Sequence, residues 1–441
     1  MSEIVQSSYK TLMNYVYNHA IKKIPVIIRD ILIQTVFFVF ALYFVAFRSE
    51  RYYVMLMDEQ DLCHFIAAVL FLLVAVLSMH EEVTIVPWRR SLVIPYYALA
   101  LGLVGIGLMH PIGAGYGFFG LVLLSAYPCL YIAWNNRGDY EELFDKIAIA
   151  FIIVGSIYFM WFSYADFTDT EIIVDGRHEG GLFNANFLSF LGVNLSCVAL
   201  YYLYRCIEKK KLKIALSYSL IAILMGTVLI AKGESRSAIL ILTANIIIVL
   251  FFIVKKTVIS SNVDRKKVII LLAIVAIAMI MLIIIGSQTD LFQIDRFDFR
   301  NKNPDEYSSG RVRLWSSYYH NLTLLGHDMS IVDWQELSAG LGTHHAHNNF
   351  LDYAYRCGIP IGICCVAVQL VAGIITLGIM FKRKANTGAD VFVVIFSVQY
   401  LVLSLIDIAT LPMTNYGAFM FYICLAPLLV SPDQRKNPDI A

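Results

Sequence analysis

Twelve apolar runs, most of them close to the length of a bilayer-spanning helix, dominate the chain. They fall at 26–46, 62–79, 92–109, 118–134, 147–163, 184–204, 214–231, 238–254, 268–286, 360–380, 391–407 and 417–431. A helix rises about 1.5 Å per residue, so about twenty apolar residues match a hydrocarbon core of about 30 Å. In lipid every backbone N–H and C=O must find its partner within the protein, and continuous apolar runs of this length satisfy that as helices. The runs predict an all-α polytopic membrane protein with about twelve transmembrane helices. Composition agrees: 59% of the 441 residues are hydrophobic and 15% are charged, with a mean hydropathy of +0.69. The shortest runs leave room for tilt or a re-entrant segment.

The charges lie between the runs. Basic clusters at Arg89–Arg90, Arg205 to Lys213, Lys255–Lys256, Arg265 to Lys267, Lys382 to Lys384 and Arg435–Lys436 share one side with the N-terminus if there are twelve spans. The other side carries about half as many Lys and Arg on longer loops, so both termini are expected in the cytoplasm. The expected organisation is an amphipathic interfacial helix at 1–25, nine spans over 26–286, a large extracytoplasmic loop at 287–359, three spans over 360–431 and a cytoplasmic tail at 432–441. In the first segment Val5, Tyr9, Leu12, Met13, Val16, Ala20 and Ile24 recur at helical spacing, with Lys10, Lys22 and Lys23 between them.

A net charge of +1 gives no bias towards nucleic acid. The eight cysteines form no C-x-x-C pair and read as small buried residues. No phosphate loop or dinucleotide fingerprint is present, so no cofactor is expected and ATP-driven transport has no visible engine.

The chemistry concentrates on the outer side. His344, His345 and His347 fall together in Gly342-Thr-His-His-Ala-His-Asn-Asn-Phe-Leu351. Imidazole titrates near neutrality and can take a proton from a hydroxyl. The same residues also read as solvated loop histidines or as a capped helix start. A metal site would need a further carboxylate or thiolate, which the segment lacks, and none is expected. Four arginines lie on the same side: Arg177 in Asp175-Gly-Arg-His-Glu-Gly-Gly181, Arg236 in Lys232-Gly-Glu-Ser-Arg-Ser237, and Arg311 and Arg313 in Ser309-Gly-Arg-Val-Arg-Leu-Trp315. A guanidinium's planar fork suits phosphate oxygens, although loop arginines also serve as solvated charges or lipid-headgroup contacts. Arg236 stands out because its loop is short and lies close to two spans.

His347-Asn-Asn-Phe-Leu-Asp-Tyr-Ala-Tyr-Arg-Cys-Gly-Ile-Pro-Ile-Gly362 resembles the hallmark of the bacterial O-antigen ligase and polysaccharide polymerase family: His-Asn, then nine residues, then a glycine-rich entry into a membrane helix. The second glycine of that pattern comes three residues after the first; here Gly362 comes four after Gly358. Arg177 to Asn186, Ser235-Arg236-Ser237 and Ser309 to Trp315 resemble the family's other motifs, in the same order. The resemblance implies a C-type glycosyltransferase architecture in a bacterial inner membrane, with an extracytoplasmic active site. It implies transfer of an undecaprenyl-pyrophosphate-linked glycan to an acceptor glycan, for O-antigen, capsule or exopolysaccharide, without nucleotide sugar or metal. Membrane lipids, a chain-length regulator and a flippase are the implied partners.

On this reading His347 is the base, with His344 and His345 as alternatives. Arg236 and Arg311 stabilise the departing pyrophosphate, supported by Arg177 and Arg313; Asn348 either fixes the imidazole or binds sugar hydroxyls, and Asn186 binds substrate. Trp315, Tyr318, Tyr319 and Trp334 read either as sugar-stacking rings or as loop core. The charge balance and modest outer loops lean towards a polymerase over a ligase that moves the finished chain to lipid A-core. A flippase or transporter shares the twelve-span plan, and Arg29–Asp30 and Asp407 are intramembrane charges of the kind transporters use. Against that, the halves show no repeat and the polar residues gather at one face.

Overall fold

The computed structural model describes residues 2–49, 59–109, 114–168, 173–174, 177–182, 184–209, 213–259, 303, 305, 308–328, 332–338, 340–341, 345–383, 385–406 and 411–430. The elements in chain order are α1 (Ser2–His19), a short 3₁₀ turn (Ile21–Lys23), α2 (Val26–Arg48), α3 (Gln60–Leu77), α4 (Arg90–Met109), α5 (Ala114–Leu124), α6 (Ala126–Arg137) and α7 (Tyr140–Phe167). A hairpin of β1 (Ile173–Val174) and β2 (Arg177–His178) follows, then α8 (Ala185–Glu208), α9 (Lys213–Gly233) and α10 (Arg236–Ile259). The chain closes with α11 (Arg311–His320), α12 (Trp334–Leu337), α13 (Asn349–Cys357), α14 (Ile359–Lys382), α15 (Gly388–Ile406) and α16 (Tyr416–Leu429).

Nine helical stretches among the described residues are long and apolar enough to cross a membrane. Asp61–Leu77 and Tyr416–Leu429 are shorter apolar helices. All of these coincide with expected runs; the run at 268–286 lies outside the described residues, as do Asp407 and the 432–441 tail. The protein is thus a multi-pass helical membrane protein. Its outward-facing side chains fit a lipid solvent: Ile363, Leu370, Ile374 and Leu377 of α14 are exposed, as are Ile27, Ile31 and Leu42 of α2.

The run at 118–134 is a broken helix. Pro128 has no N–H to offer the carbonyl of Leu124, and the helix interrupts at Ser125 between α5 and α6. The carbonyls this exposes are met by tyrosines from elsewhere. Tyr9 of α1 donates to Leu124, and Tyr96 of α4 donates to Leu123 (2.7 Å). The N-terminal helix is thereby drawn onto the bundle, with Met13 and Tyr17 buried. Its Tyr17 hydroxyl donates to the His80 carbonyl (2.5 Å).

α8 and α9 approach closely because glycine faces glycine. A Cβ on Gly192 would lie 2.4 Å from the Gly226 carbonyl oxygen, and one on Gly226 would lie 2.5 Å from that of Gly192. Small-residue contacts of this kind let helix backbones meet where lipid supplies no hydrophobic drive. At the bundle's centre α15 touches α8, α10, α14 and α16. Arg29 is buried and donates to the Met79 carbonyl, while Asp30 pairs with Lys146 (3.3 Å). The Arg29–Asp30 pair therefore anchors helix ends.

Candidate functional site

α13 begins at Asn348, whose Oδ1 accepts from the backbone N–H of Phe350 (3.0 Å) and Leu351 (3.1 Å). This N-cap satisfies donors that have no partner within the helix. The same side chain donates through Nδ2 to the Leu405 carbonyl (3.2 Å), and buried Asn349 donates to Ser404 Oγ (2.9 Å). Both asparagines thus tie the helix start to the end of α15. At the other end Gly358 turns the chain into α14 with φ 95°. Gly362 then lies against α13, where a Cβ would sit 2.6 Å from the Ala354 Cβ. The four-residue glycine spacing has a physical reason here: one glycine turns and the other lets α13 and α14 touch.

The hub of this segment is Asp352, whose side chain is 2% exposed. It lies 2.9 Å from Arg356 Nε and accepts from Ala346 N–H (3.2 Å) and the Tyr116 hydroxyl of α5 (3.4 Å). Burial alone would push this carboxyl up, but the Arg356 guanidinium, His345 and the Ala346 N–H hold it below the usual carboxylate range. Arg356 Nη2 also donates to His345 Nδ1 (3.1 Å). Burial pushes the His345 imidazole down, and the neighbouring Arg356 charge pushes the same way against the Asp352 contact.

The arginine motif of the large loop meets this histidine loop. At the start of α11, Asp305 accepts from Arg313 N–H (2.9 Å) and lies 3.7 Å from the Arg313 guanidinium. Farther along, the Trp315 indole donates to the Ala346 carbonyl (2.8 Å). Ala346 is therefore held on both sides, by Asp352 at its N–H and by Trp315 at its C=O. A small core of Leu314, Tyr318, Leu337, Ala346 and Tyr355 lies beneath, with the Tyr318 and Tyr355 rings 4.9 Å apart. Tyr318 packs in that core and Trp315 serves as a clamp; Tyr319 is exposed. The Trp334 side chain lies outside the description.

Arg236 joins the same assembly, donating through Nη2 to Ser309 Oγ (3.0 Å). Next to it Lys232 lies 3.1 Å from Asp166 at the end of α7 and 3.4 Å from His178 of β2. His178 is itself 3.4 Å from Asp166. The Arg177 hairpin is thus moored beside the Arg236 loop. The Arg177 side chain and all of His344 lie outside the described residues. Asn186 sits in the first turn of α8, its N–H donating to the Asn184 cap (2.7 Å).

The backbone marks the same places. Among the described residues, the non-glycine positions with left-handed φ are Glu234 (52°), Ser309 (56°) and His347 (49°). Each lies in a different one of three motifs. Non-glycine residues held in this region cost free energy and gather at functional sites. Among the described residues no group of three His, Cys, Asp or Glu could hold a metal ion.

Three features of this end of the bundle were not read from the sequence. Asp352 and Arg356 stand four apart on one helix, a spacing that could have flagged them. The Asp166–Lys232–His178 cluster and the Trp315 clamp had no local signal. Residues 220–366 match the family model described as O-antigen ligase, a stretch that includes the Arg236 motif, α11 and the histidine loop through Gly362. No curated protein matches the chain.

Proposed function

We propose, from the match of residues 220–366 to the family model described as O-antigen ligase, that the chain is a member of the O-antigen ligase and polymerase family and polymerises a surface polysaccharide at the outer face of a bacterial inner membrane. The donor is a glycan on undecaprenyl pyrophosphate and the acceptor is a second glycan. The observation that supports this reading most is the convergence of cationic and imidazole motifs at one end of the bundle. Arg236 contacts Ser309, two residues before Arg311, and Trp315 of the same helix contacts Ala346, next to His347.

In the proposed step the acceptor hydroxyl attacks the donor's anomeric carbon. The new C–O bond forms as the bond to the pyrophosphate oxygen breaks on the opposite face, which inverts the centre. The hydroxyl proton goes to His347, a contribution of about a hundred- to ten-thousand-fold. The leaving pyrophosphate gains charge, and Arg236 and Arg311, with Arg177 and Arg313 around them, stabilise it in a partly dehydrated site. No metal takes part. His345, committed to Arg356, suits a supporting role better than that of the base. Asn348 uses its side chain to cap α13, so it acts by fixing His347. Both termini lie in the cytoplasm.

The test uses purified protein in vesicles with an undecaprenyl-pyrophosphate-linked repeat unit and no ion gradient. Chain growth with chelator present is the expected result; absence of transfer there, with glycolipid movement across the bilayer instead, returns the flippase reading. In cells lacking the protein, single-repeat glycans are expected. Long lipid-linked chains would instead identify a ligase acting on lipid A-core or another acceptor.

A further inference from the structure

The segment after α11 is braced against the start of a spanning helix. Ile359 N–H donates to the Thr323 carbonyl (3.0 Å), His327 N–H donates to the Arg356 carbonyl (3.4 Å), and Thr323 Oγ1 closes the turn on the Gly326 carbonyl (2.8 Å). A Cβ on Gly358 would lie 2.3 Å from the Leu324 carbonyl oxygen, so the two strands of chain touch through backbone. His327 stacks on Tyr355, with ring centroids 4.2 Å apart. The turn is thus held in place, yet the side chains at its tip, Leu324 and Leu325, are 67% and 57% exposed.

Their height follows from α14. Its 24 residues span about 36 Å at 1.5 Å per residue, more than a hydrocarbon core of about 30 Å. The first turn therefore lies at the membrane boundary, and its Ile359 and Ile363 are exposed. Thr323 is bonded to that turn, which puts the two leucines within side-chain reach of hydrocarbon. α11 adds an independent observation. Val312, Trp315 and Tyr319 share one face at helical spacing, and Val312 and Tyr319 are exposed. Exposed Arg313, Ser316 and His320 lie beside that stripe. A surface helix divided into apolar and polar-cationic faces suits a membrane–water boundary, where tyrosine is favoured.

We propose that Leu324 and Leu325 form a membrane-docking tip. They insert into the phospholipid leaflet beside α14 and hold α11 at headgroup height. The partner is the lipid surface itself, continuous with the lipid-facing side of α14. Docking fixes the level of Arg311, Arg313 and the Trp315 clamp relative to a phosphate carried on a lipid. This last consequence rests on the proposed transferase reading; the docking does not.

The experiment uses the full chain with Cys364→Ala, the one cysteine of the eight that is not buried. Leu325→Cys or Ser316→Cys is added and labelled with a nitroxide, in phosphatidylethanolamine–phosphatidylglycerol vesicles without donor. At position 325 oxygen should collide with the label several-fold more often than a water-soluble nickel chelate does, and at 316 the order should reverse. Equal nickel access at both positions overturns the docking, as does shielding that appears only once donor is added, since the tip would then be covered by the donor's prenyl chain. The double variant Leu324→Ser/Leu325→Ser should lower transfer in vesicles several-fold while leaving thermal unfolding of the bundle unchanged. Unchanged transfer overturns the height-setting role. Failure of the unmodified protein to transfer, with the label still shielded, removes the transferase reading and leaves the docking standing.

Discussion

Arginine is buried beside carboxylates at both ends of the bundle, and the two sites differ in what surrounds the pair. At one end the Arg205 side chain, 2% exposed, meets Glu141 (2.6 Å), Asp145 (3.0 Å) and Glu208. Lys209 and Lys256 close the outside of the cluster, and Glu141 accepts from the Gly388 N–H (2.7 Å). This network staples α7, α8, α10 and the start of α15, and it contains no imidazole. At the other end a single carboxylate, Asp352, serves Arg356, a loop N–H and a neighbouring histidine. Burial of charge is costly in both places and is offset by pairing. The first network uses its charges to join helices. The second uses them to hold the backbone of a three-residue loop, one of whose members, His347, has left-handed φ.

The sharpest separation between the two ends is in catalysis. His347→Ala is expected to lower transfer by about a hundred- to ten-thousand-fold, measured as product per folded protein in vesicles. Arg236→Ala and Arg311→Ala should each lower it by about a hundred- to a thousand-fold. Arg205→Ala should show the reverse pattern. Leaving Glu141, Asp145 and Glu208 without their shared cation should cost about 3–5 kcal/mol of stability, read by thermal unfolding, with transfer per folded molecule near that of the unmodified protein. An Arg205 variant that stays stable but stops transferring would erase the distinction between the two ends.

Within the histidine end, Asp352→Asn keeps an acceptor for Ala346 N–H but removes the charge that faces Arg356. Leaving the buried Arg356 charge without its carboxylate costs about 3–5 kcal/mol, and transfer should fall with it. Trp315→Phe deletes one neutral bond to the same loop and should cost about 1 kcal/mol, with a smaller fall in rate. If Trp315→Phe proves as harmful as His347→Ala, the indole touches substrate and is more than a clamp.

Acidity gives the mildest test. The His345 imidazole is held below its ordinary value of about 6.5. As pH falls below that value, the unfolded chain takes up a proton that the folded loop refuses, so stability declines. Asp352 is also held low, and its contribution is lost only as pH falls below the ordinary carboxylate range, about 3.9. Between neutrality and about pH 5, the unfolding temperature should therefore drop for the unmodified protein and drop less for His345→Gln. Parallel curves for the two would remove His345 from the network.

The helices were legible because each spanning segment must announce itself as a long apolar run. Pro128 could have flagged the break in the run at 118–134, but Tyr9, whose hydroxyl meets the Leu124 carbonyl, lies 115 residues from it and carries no local sign. The histidines and arginines stood out by type and by their place on one face. What brings them together did not: the Arg236–Ser309 and Trp315–Ala346 bonds close over 73 and 31 residues, through atoms that many loop residues also possess. Asp352 and Arg356 were in plain view as an i, i+4 pair. Only packing against Tyr116 and Ala346 distinguishes them from an ordinary surface pair.

The His347 and arginine motifs are proposed to form one transfer site at one end of the bundle. Its most direct measurement is single-turnover glycan transfer in vesicles by the unmodified protein, His347→Ala, Arg236→Ala and Arg311→Ala, each verified as folded. The expected result is normal donor binding by the His347 variant with transfer nearly abolished, and transfer loss in both arginine variants. Transfer at the unmodified rate by all three variants would contradict it.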